Sequence, residues 1–326
     1  MHAHVFTGVD TGLELKEIPR PEPHQGQVVI QVKAAGLCHS DCWILKDRQY
    51  GLIAQPPPLV LGHEVAGTIV QLGPNDPARF HVGDRVVVGI PSHPPAAQNW
   101  TKAIGLGHNG GYAQFTLSWA DNLLHIPEGV SFAQAAVATD SIATAYHAVV
   151  AEGRVGADET VAVVGLGGLG MVGLQIALLQ GATVYGIDTN EAKADIAKHH
   201  GATASARGFE QFAGTVFDVV IDFAGAGSTT VAALQSVRAG GRVVVVRLAA
   251  HNVEVNTRIL ITKNITLQGS IGASLDEVKT VLELIAEGKI VPALEEIPFD
   301  DISHGLERLD KGGVIGRLYT DPSKAA

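Results

Sequence analysis

The sequence feature that most constrains this chain is a glycine-rich segment at residues 161–170, which reads VAVVGLGGLG. It begins as an apolar run typical of a buried strand and leads into an apolar stretch, Met171 to Gln180, that predicts a helix. A second predicted strand then ends at Asp188. A G-x-G-x-x-G motif between a strand and a helix, with an acidic residue about 20 positions on, is the dinucleotide-binding fingerprint of a βαβ unit. The segment therefore predicts a doubly wound α/β domain.

Each glycine of this fingerprint has a physical role. Gly165 permits a tight turn, Gly167 lets the backbone approach a pyrophosphate, and Gly170 lets the helix pack closely on the strand. The helix N-terminus also presents free N–H groups and the positive end of its dipole to the phosphates. The residues predicted to contact the dinucleotide here are Gly165, Gly167, Gly168, Leu169 and Gly170.

Asp188 predicts which dinucleotide is bound. Its carboxylate can accept hydrogen bonds from the adenosine ribose hydroxyls, and it would repel a 2′-phosphate. The residues that follow are Thr189, Asn190 and Glu191, so no arginine stands close behind it. We therefore expect NAD rather than NADP. The alternative is a glycine-rich turn that binds nothing, and the correctly spaced acidic residue argues against it.

The chain is long enough for two domains, with 326 residues of which 46% are hydrophobic. Up to about residue 130, short apolar runs separated by glycine and proline predict a β-rich domain. Beyond this point, predicted strands alternate with helical segments, which indicates a parallel sheet covered on both faces. These strands are Val161–Val164, Thr183–Ile187, Val216–Asp222, Arg242–Val246 and Ile265–Gly269.

Charge and composition argue against several classes of partner. The net charge is −10 and no basic stripe occurs, so nucleic-acid binding is not expected. No apolar run reaches the length of a membrane span, and the first residues lack the features of a signal peptide. Two cysteines, Cys38 and Cys42, cannot cross-link a chain of this size and indicate a reducing compartment. We therefore expect a cytoplasmic protein that acts on small molecules.

Residues that could bind a metal stand far apart in the sequence. They are Cys38, the adjacent pair His63 and Glu64, and Asp140, so spacing alone does not assemble them into a site. Taken singly, Cys38 fits a buried small apolar residue and His63 a hydrogen-bonded core histidine. Asp140 fits a helix cap.

Several short motifs resemble, in the same order, those of the zinc-dependent alcohol dehydrogenases of the medium-chain dehydrogenase/reductase superfamily. They are AAGLCHSD at 34–41, GHEVAG at 62–67, VGDRV at 82–86, GGYA at 110–113, the dinucleotide fingerprint, and the closing Gly316-Arg317. The resemblance spans nearly the whole chain. It implies a Rossmann doubly wound parallel sheet at residues 146–271. It also implies a GroES-like β-rich catalytic domain at residues 1–145, completed by residues 272–326.

The resemblance implies a catalytic zinc bound by Cys38, His63 and a third ligand. That ligand is a cysteine in much of the family, whereas the matching residue here is Asp140. Zn²⁺ with one thiolate, one carboxylate and one neutral imidazole has zero net charge, as it has with two thiolates and one imidazole. Glu64 is implied to lie behind the metal and to bind it transiently during ligand exchange. Residues 89–101 contain none of the cysteines of the family's structural zinc lobe, so we expect one zinc per chain.

The reaction implied by the resemblance is hydride transfer between an alcohol, or an aldehyde or ketone, and NAD. Ser40 is expected to accept the hydroxyl proton and Asp41 to orient His63. His39 and Arg317 match family positions that face the coenzyme. The residues expected to line the substrate pocket are Trp43, Tyr50, Trp100 and Ile271, whose apolar character favours a hydrophobic alcohol or aldehyde. Homodimers and homotetramers are usual in the family.

Two other functions stay open at this point. One is a zinc-free quinone or enone reductase on the same fold, which the pair Cys38 and His63 argues against because such enzymes usually lack it. The other is a non-catalytic NAD-binding scaffold. The set that argues against a scaffold is Cys38, Ser40, His63, Asp140 and Asp188.

Overall fold

A computed structural model describes residues 1–74, 79–90, 92–247 and 249–325 of the chain. The chain forms two compact units. The first consists of Met1–Ala143, Gly272–Gly288 and Pro292–Ala326. The second consists of Thr144–Ile271 and Lys289–Val291.

The strands of the described residues are β1 (His2–Gly8), β2 (Gly12–Glu17), β3 (Gln27–Gly36), β4 (Leu59–Val60), β5 (Glu64–Leu72), β6 (Arg85–Val88), β7 (Phe115–Trp119), β8 (Leu123–His125), β9 (Thr160–Val164), β10 (Thr183–Ile187), β11 (Ala204–Ala206), β12 (Phe217–Asp222), β13 (Val237–Val245), β14 (Thr266–Gly269), β15 (Leu294–Ile297) and β16 (Arg317–Thr320).

The α-helices are α1 (His39–Ile44), α2 (Phe132–Val137), α3 (Ala143–Tyr146), α4 (Gly168–Leu179), α5 (Glu191–His199), α6 (Ser228–Ser236), α7 (Thr257–Lys263), α8 (Leu275–Ala286) and α9 (Ile302–Asp310). Two π-helical segments, Ala138–Ile142 and His147–Glu152, continue directly from α2 and α3. Short 3₁₀ turns occupy Pro95–Ala97, Trp100–Lys102, Ala120–Asn122, Phe209–Phe212, Phe299–Asp301 and Pro322–Lys324. No helix in the described part of the chain is long and apolar enough to span a bilayer.

The first unit is built on a seven-stranded sheet. Its order is β15-β16-β3-β5-β6-β8, and β7 pairs with the free part of β3. Apart from the parallel pair β15 and β16, neighbouring strands run antiparallel. A smaller antiparallel sheet, β2-β1-β4, packs into the same core. Buried apolar side chains from these strands fill the interior, as the β-rich pattern of the sequence predicted.

Strand β3 extends two residues beyond the predicted end at Ala34, and β5 begins before the predicted Ala66. The reason is the pairing of Gly36 with Glu64, which closes the ladder between these two strands. A polar residue at this position does not resemble a strand start, so the sequence pattern missed it. The pairing matters because it brings the ends of the CHSD and GHE motifs together.

The second unit is a six-stranded parallel sheet in the order β11-β10-β9-β12-β13-β14. Counted from β9, this is the 3-2-1-4-5-6 order of a Rossmann fold, whose ligands bind at the carboxyl ends of the strands where the order reverses. The central strands are apolar and buried because helices cover the sheet. The sequence missed β11, whose three residues, Ala-Ser-Ala, have weak strand propensity.

One stretch departs from the predicted domain limits. Residues 272–326 were all assigned to the first domain, yet Lys289–Val291 belong to the second unit. The backbone N–H of Val291 donates to the side-chain oxygen of Gln175 on α4, at 3.3 Å. Ile290 beside it is fully buried. The boundary at 145/146 likewise lies two residues inside the second unit, which starts at Thr144.

Candidate metal centre and dinucleotide site

Three elements of the first unit carry the candidate metal ligands. Cys38 lies between β3 and α1, where it is the residue preceding the first turn of the helix. His63 directly precedes β5. Asp140 lies within the π-helical segment Ala138–Ile142, and π-helical turns of this kind occur frequently at functional sites.

These three side chains converge. The Asp140 Oδ2 atom is 3.5 Å from Cys38 Sγ and 3.6 Å from His63 Nε2, and all three ligand atoms lie within 4.8 Å of one another. A tetrahedral zinc with bonds of about 2.0–2.3 Å separates its ligand atoms by roughly 3.3–3.5 Å. The spacing and the S, N and O donor set therefore fit a zinc ion. It is the one group of this kind found in the described residues.

The charges around the three ligands favour a cation at their centre. Burial alone would lower the pKa of His63, but the carboxylates of Asp41 and Asp140 raise it well above its usual value. Burial would raise the pKa of Asp140, but neighbouring His63 and Arg317 lower it to about 2. A half-buried carboxylate that stays ionised beside a thiol and an imidazole is a suitable metal ligand.

Asp41 contacts His63 on the side of the ring opposite the candidate metal position. Its Oδ1 atom lies 3.3 Å from His63 Nδ1, while Oδ2 accepts hydrogen bonds from the Cys38 N–H (3.0 Å) and the Tyr112 hydroxyl (2.7 Å). The Asp41 carboxylate thus faces Nδ1 while Nε2 faces Asp140, an arrangement that orients the ring for ligation. Tyr112 is fully buried, and its role was missed by sequence reasoning although the GGYA motif that contains it was noted.

Glu64 does not join the three converging ligands. Its Oε1 and Oε2 atoms accept hydrogen bonds from Arg317 Nη2 (2.6 Å) and Nε (2.9 Å), and Oε1 also accepts one from the Ser141 N–H (2.9 Å). Its carboxylate is thus engaged by Arg317 and Ser141, and its expected transient contact with a metal ion stays a prediction. Arg317 is itself buried in the first unit, with Nη2 3.8 Å from Asp140 Oδ2. Arg317 is thus paired with Glu64, and its expected contact with the coenzyme stays a prediction.

Ser40 lies at the edge of the same group. Its hydroxyl oxygen is 3.1 Å from His63 Nε2, so it stands one hydrogen bond from a candidate ligand. His39, the first residue of α1, is half-buried beside it in the chain. Cys42 is separate: its thiol is buried against the Leu306 carbonyl, and burial raises its pKa to about 12.

The predicted pocket residues are divided between the units. Trp43, Tyr50 and Trp100 are partly buried against the apolar core of the first unit. Ile271 is the last residue of its stretch of the second unit and is 46% exposed. The three aromatic side chains thus have a packing role in the first unit.

The dinucleotide fingerprint adopts the expected strand–turn–helix form in the second unit. Gly165 has a φ of +85°, which favours glycine. A Cβ at Gly170 would overlap the carbonyl oxygen of Gly165, so only glycine lets α4 approach the turn this closely. Gly167 immediately precedes α4, and a Cβ there would meet nothing within 4 Å. The N–H groups of Gly168 and Leu169 belong to the first turn of this helix, where phosphates bind.

Asp188 follows β10, and its carboxylate is hydrogen-bonded to the backbone of two loop residues. Its Oδ2 accepts a hydrogen bond from the Leu166 N–H and its Oδ1 one from the Asn190 N–H, both at 2.8 Å. Each carboxylate oxygen keeps a further lone pair for a ribose hydroxyl. Lys193 on α5 lies 3.9 Å from Oδ2. The sequence analysis considered only an arginine close behind Asp188 and overlooked this lysine. Lys193 lies in the first turn of α5, which brings its side chain near the carboxylate.

Comparisons with known proteins agree with this architecture. Residues 24–128 match the family model described as alcohol dehydrogenase GroES-like domain, and residues 168–287 match that described as zinc-binding dehydrogenase. An alcohol dehydrogenase of Geobacillus stearothermophilus is 30% identical, with 98% of each chain covered. An acryloyl-coenzyme A reductase of Sulfurisphaera tokodaii is 28% identical, over 99% of this chain and all of that one.

A solved structure has the same fold. The acetophenone reductase of Geotrichum candidum, determined in complex with NAD, superposes with a TM-score of 0.90 at 30% identity, covering 100% of this chain and 98% of that one. Motifs, domain architecture and relatives thus agree along nearly the whole length. The chain therefore belongs to the zinc-type alcohol dehydrogenases of the medium-chain dehydrogenase/reductase superfamily and is an oxidoreductase.

Proposed function

We propose that this protein is an NAD-dependent alcohol dehydrogenase with one catalytic zinc per chain. The observation that carries the proposal is the convergence of Cys38, His63 and Asp140 within 4.8 Å. Three protein ligands with a position left for substrate are typical of catalytic rather than structural zinc. In this proposal the first unit is the catalytic domain and the second unit binds NAD.

The chemistry divides between the metal and the chain. A bound zinc would act as a Lewis acid that favours the alkoxide form of an alcohol or polarises a carbonyl group. The chain would hold that ion with Cys38, His63 and Asp140, and Asp41 would keep the imidazole ring in position. Ser40 would accept the hydroxyl proton and pass its own proton toward the nicotinamide ribose, since its hydroxyl can both donate and accept a hydrogen bond.

The second unit would supply the coenzyme site. The N-terminus of α4 would receive the pyrophosphate and Asp188 the adenosine ribose hydroxyls. The hydride chemistry belongs to the nicotinamide, and the protein contributes position and electrostatics. His39 and Arg317 remain candidates for coenzyme contact through the family resemblance.

The proposed substrate is a hydrophobic alcohol or the corresponding aldehyde or ketone. Trp43, Tyr50 and Trp100, which pack against the apolar core of the first unit, would give the pocket an apolar wall. The acetophenone reductase noted above is named for an apolar aromatic ketone, which supports this substrate class. The alternative activity is reduction of a carbon–carbon double bond, because one relative is named acryloyl-coenzyme A reductase.

The test is NAD-linked turnover of a panel of primary, secondary, benzylic and polyol alcohols, before and after zinc removal by a chelator. We expect activity on apolar alcohols, its loss on chelation, and its return with added zinc. Cys38→Ser should abolish zinc binding and turnover, whereas the matched variant Cys42→Ser should keep both, because Cys42 lies outside the ligand group. Full activity in zinc-free protein would disprove the proposal.

We also propose that the protein forms a homodimer or homotetramer. Strand β14 ends the sheet of the second unit, its four residues are exposed, and no second described strand pairs with it. Nearby, Ile261 on α7 is 78% exposed. An unpaired edge strand beside apolar side chains favours pairing with another chain. Leu267→Lys should therefore yield monomers in sedimentation velocity, whereas Val216→Lys, also exposed in the second unit, should not.

A further inference from the structure

Arg317 stands between two carboxylates in the first unit. Its Nη2 atom donates to Glu64 Oε1 at 2.6 Å and lies 3.8 Å from Asp140 Oδ2. Arg317 and Glu64 are both buried, so the charges are poorly screened by solvent. The guanidinium thus makes a two-point hydrogen-bonded pair with Glu64 and only a longer contact with Asp140.

The fold anchors the Glu64 carboxylate in this position. The Ser141 N–H donates to Oε1 at 2.9 Å. On the paired strand, Gly36 leaves room for Oε2, because a Cβ at that position would overlap this oxygen. Arg317 is therefore drawn to a carboxylate that cannot itself move toward the guanidinium without losing these supports.

The oxygen of Asp140 that faces Arg317 is the same one that faces the other candidate ligands. Oδ2 lies 3.5 Å from Cys38 Sγ and 3.6 Å from His63 Nε2. A guanidinium about an ångström closer would hydrogen-bond to Oδ2 and withdraw its charge from a metal ion. Arg317 and the metal are thus competitors for one oxygen atom.

We propose that Glu64 is a positioning residue that holds Arg317 away from Asp140 and so keeps Asp140 available as a metal ligand. This inference rests on the proposed zinc site. It differs from the role implied by the family resemblance, in which Glu64 itself binds the metal. The two roles make opposite predictions for a variant that lacks both Glu64 and Arg317.

The experiment measures zinc affinity by competition with a chromophoric chelator, and cobalt affinity by the thiolate-to-cobalt absorption band. Glu64→Gln should weaken zinc binding by about 10- to 100-fold, the usual effect of removing a residue that supports a metal ligand. Adding Arg317→Met should restore affinity to within about twofold of wild type, because the competitor is gone. The control Glu295→Gln breaks the exposed pair with Arg308 and should change nothing.

The outcomes separate the inference from the proposed function. A wild-type chain that binds no zinc would overturn the zinc site and this inference with it. Normal zinc binding in the wild type with unchanged affinity in Glu64→Gln would overturn the inference alone. So would a double variant that binds as weakly as Glu64→Gln, because Glu64 would then act on the metal directly.

The double variant keeps the inference falsifiable if Glu64→Gln fails to fold. It replaces both members of a buried ion pair by neutral groups and leaves no unpaired buried charge, a change that folded proteins tolerate well. The double variant is then compared directly with the wild type. If its zinc affinity is close to that of the wild type, the result supports the inference. A loss of about 10-fold or more overturns it.

Discussion

At the residue scale, the Ser40 hydroxyl contacts a candidate zinc ligand and is also the proposed first acceptor of the substrate proton. Its oxygen stands 3.1 Å from His63 Nε2, the ring atom that also faces Asp140. As a proton relay, the hydroxyl would take the substrate proton on its oxygen and give up its own proton toward the nicotinamide ribose. Trp43, three residues on, carries an N–H that can only donate, so it cannot receive a proton in turn.

Removing the Ser40 hydroxyl should slow the reaction. We expect Ser40→Ala to lower kcat by about 100-fold or more, in line with the loss of a positioned proton-transfer group. Ser40→Thr keeps a hydroxyl and should retain most of the activity. Zinc content must be measured in both variants, because Ser40 contacts a candidate ligand. An alanine variant with full zinc and unchanged kcat would exclude Ser40 from proton transfer.

At the same scale, Asp188 is the residue that we propose sets the coenzyme preference. Asp188→Gly should relax the preference for NAD over NADP, measured as the ratio of kcat/KM values, because a fixed negative charge no longer meets the 2′-phosphate. Lys193, 3.9 Å away, would then be free to attract that phosphate and should strengthen the change. The exposed Asp195 on the same helix provides the control Asp195→Gly, which should leave the ratio unchanged. A wild-type enzyme faster with NADP would contradict the assignment.

At the element scale, the turn between β9 and α4 contains one glycine required for packing and another proposed to contact the coenzyme. Gly170 touches the turn itself, since a Cβ there would overlap the Gly165 carbonyl. Gly167 faces open space, yet its backbone lies where a pyrophosphate would approach. The two glycines are therefore a natural matched pair.

We expect Gly170→Ala to destabilise the protein by roughly 1–3 kcal/mol, as overpacked sites do, and to lower its melting temperature without any ligand. Gly167→Ala should leave the melting temperature near that of wild type but weaken NAD binding measured by calorimetry. The assignment of roles would be wrong if the two variants exchanged these effects, or if Gly167→Ala bound NAD normally.

α2 and the π-helical segment that follows it position Asp140 in the candidate metal site. Ser131 caps the start of α2: its side chain accepts a hydrogen bond from the Gln134 N–H, and the Gln134 side chain accepts one from the Ser131 N–H. It then widens into the π-helical segment Ala138–Ile142. This turn exposes the Ser141 N–H to Glu64, so one local distortion serves both Asp140 and Glu64.

At the scale of the whole molecule, the ligand groups of the two proposed cofactors lie in separate units. All three candidate zinc ligands belong to the first unit, and the fingerprint and Asp188 belong to the second. Each unit has its own sheet and its own apolar core. The metal and coenzyme requirements can therefore be tested independently.

Elemental analysis of the purified protein should give one zinc per chain. The described residues contain one group with suitable ligand geometry, and the family's structural lobe lacks its cysteines here. Asp140→Asn should lower the zinc content while the far-ultraviolet circular dichroism stays that of a folded chain. A value near two zinc ions per wild-type chain would contradict the single site.

Local sequence patterns predict the features that depend on residues close together in the chain. Apolar runs bounded by glycine marked the parallel strands β9, β10 and β12, and the G-x-G-x-x-G spacing marked the turn that opens α4. These patterns are legible because strand and helix periodicity repeats within a few residues. The resemblance to known motifs implied that Cys38, His63 and Asp140 are ligands. Their spacing in the chain alone did not indicate this.

The contacts that those residues make depend on the folded chain. The Glu64 carboxylate is bound by Ser141, 77 positions away, and by Arg317, 253 positions away, partners that no local pattern relates. The Tyr112 bond to Asp41 spans 71 positions in the same way. Buried polar groups must find hydrogen-bond partners wherever the fold brings them together. Because that pairing depends on the closed sheet and on packed helices, it is fixed by the three-dimensional arrangement and not by sequence spacing.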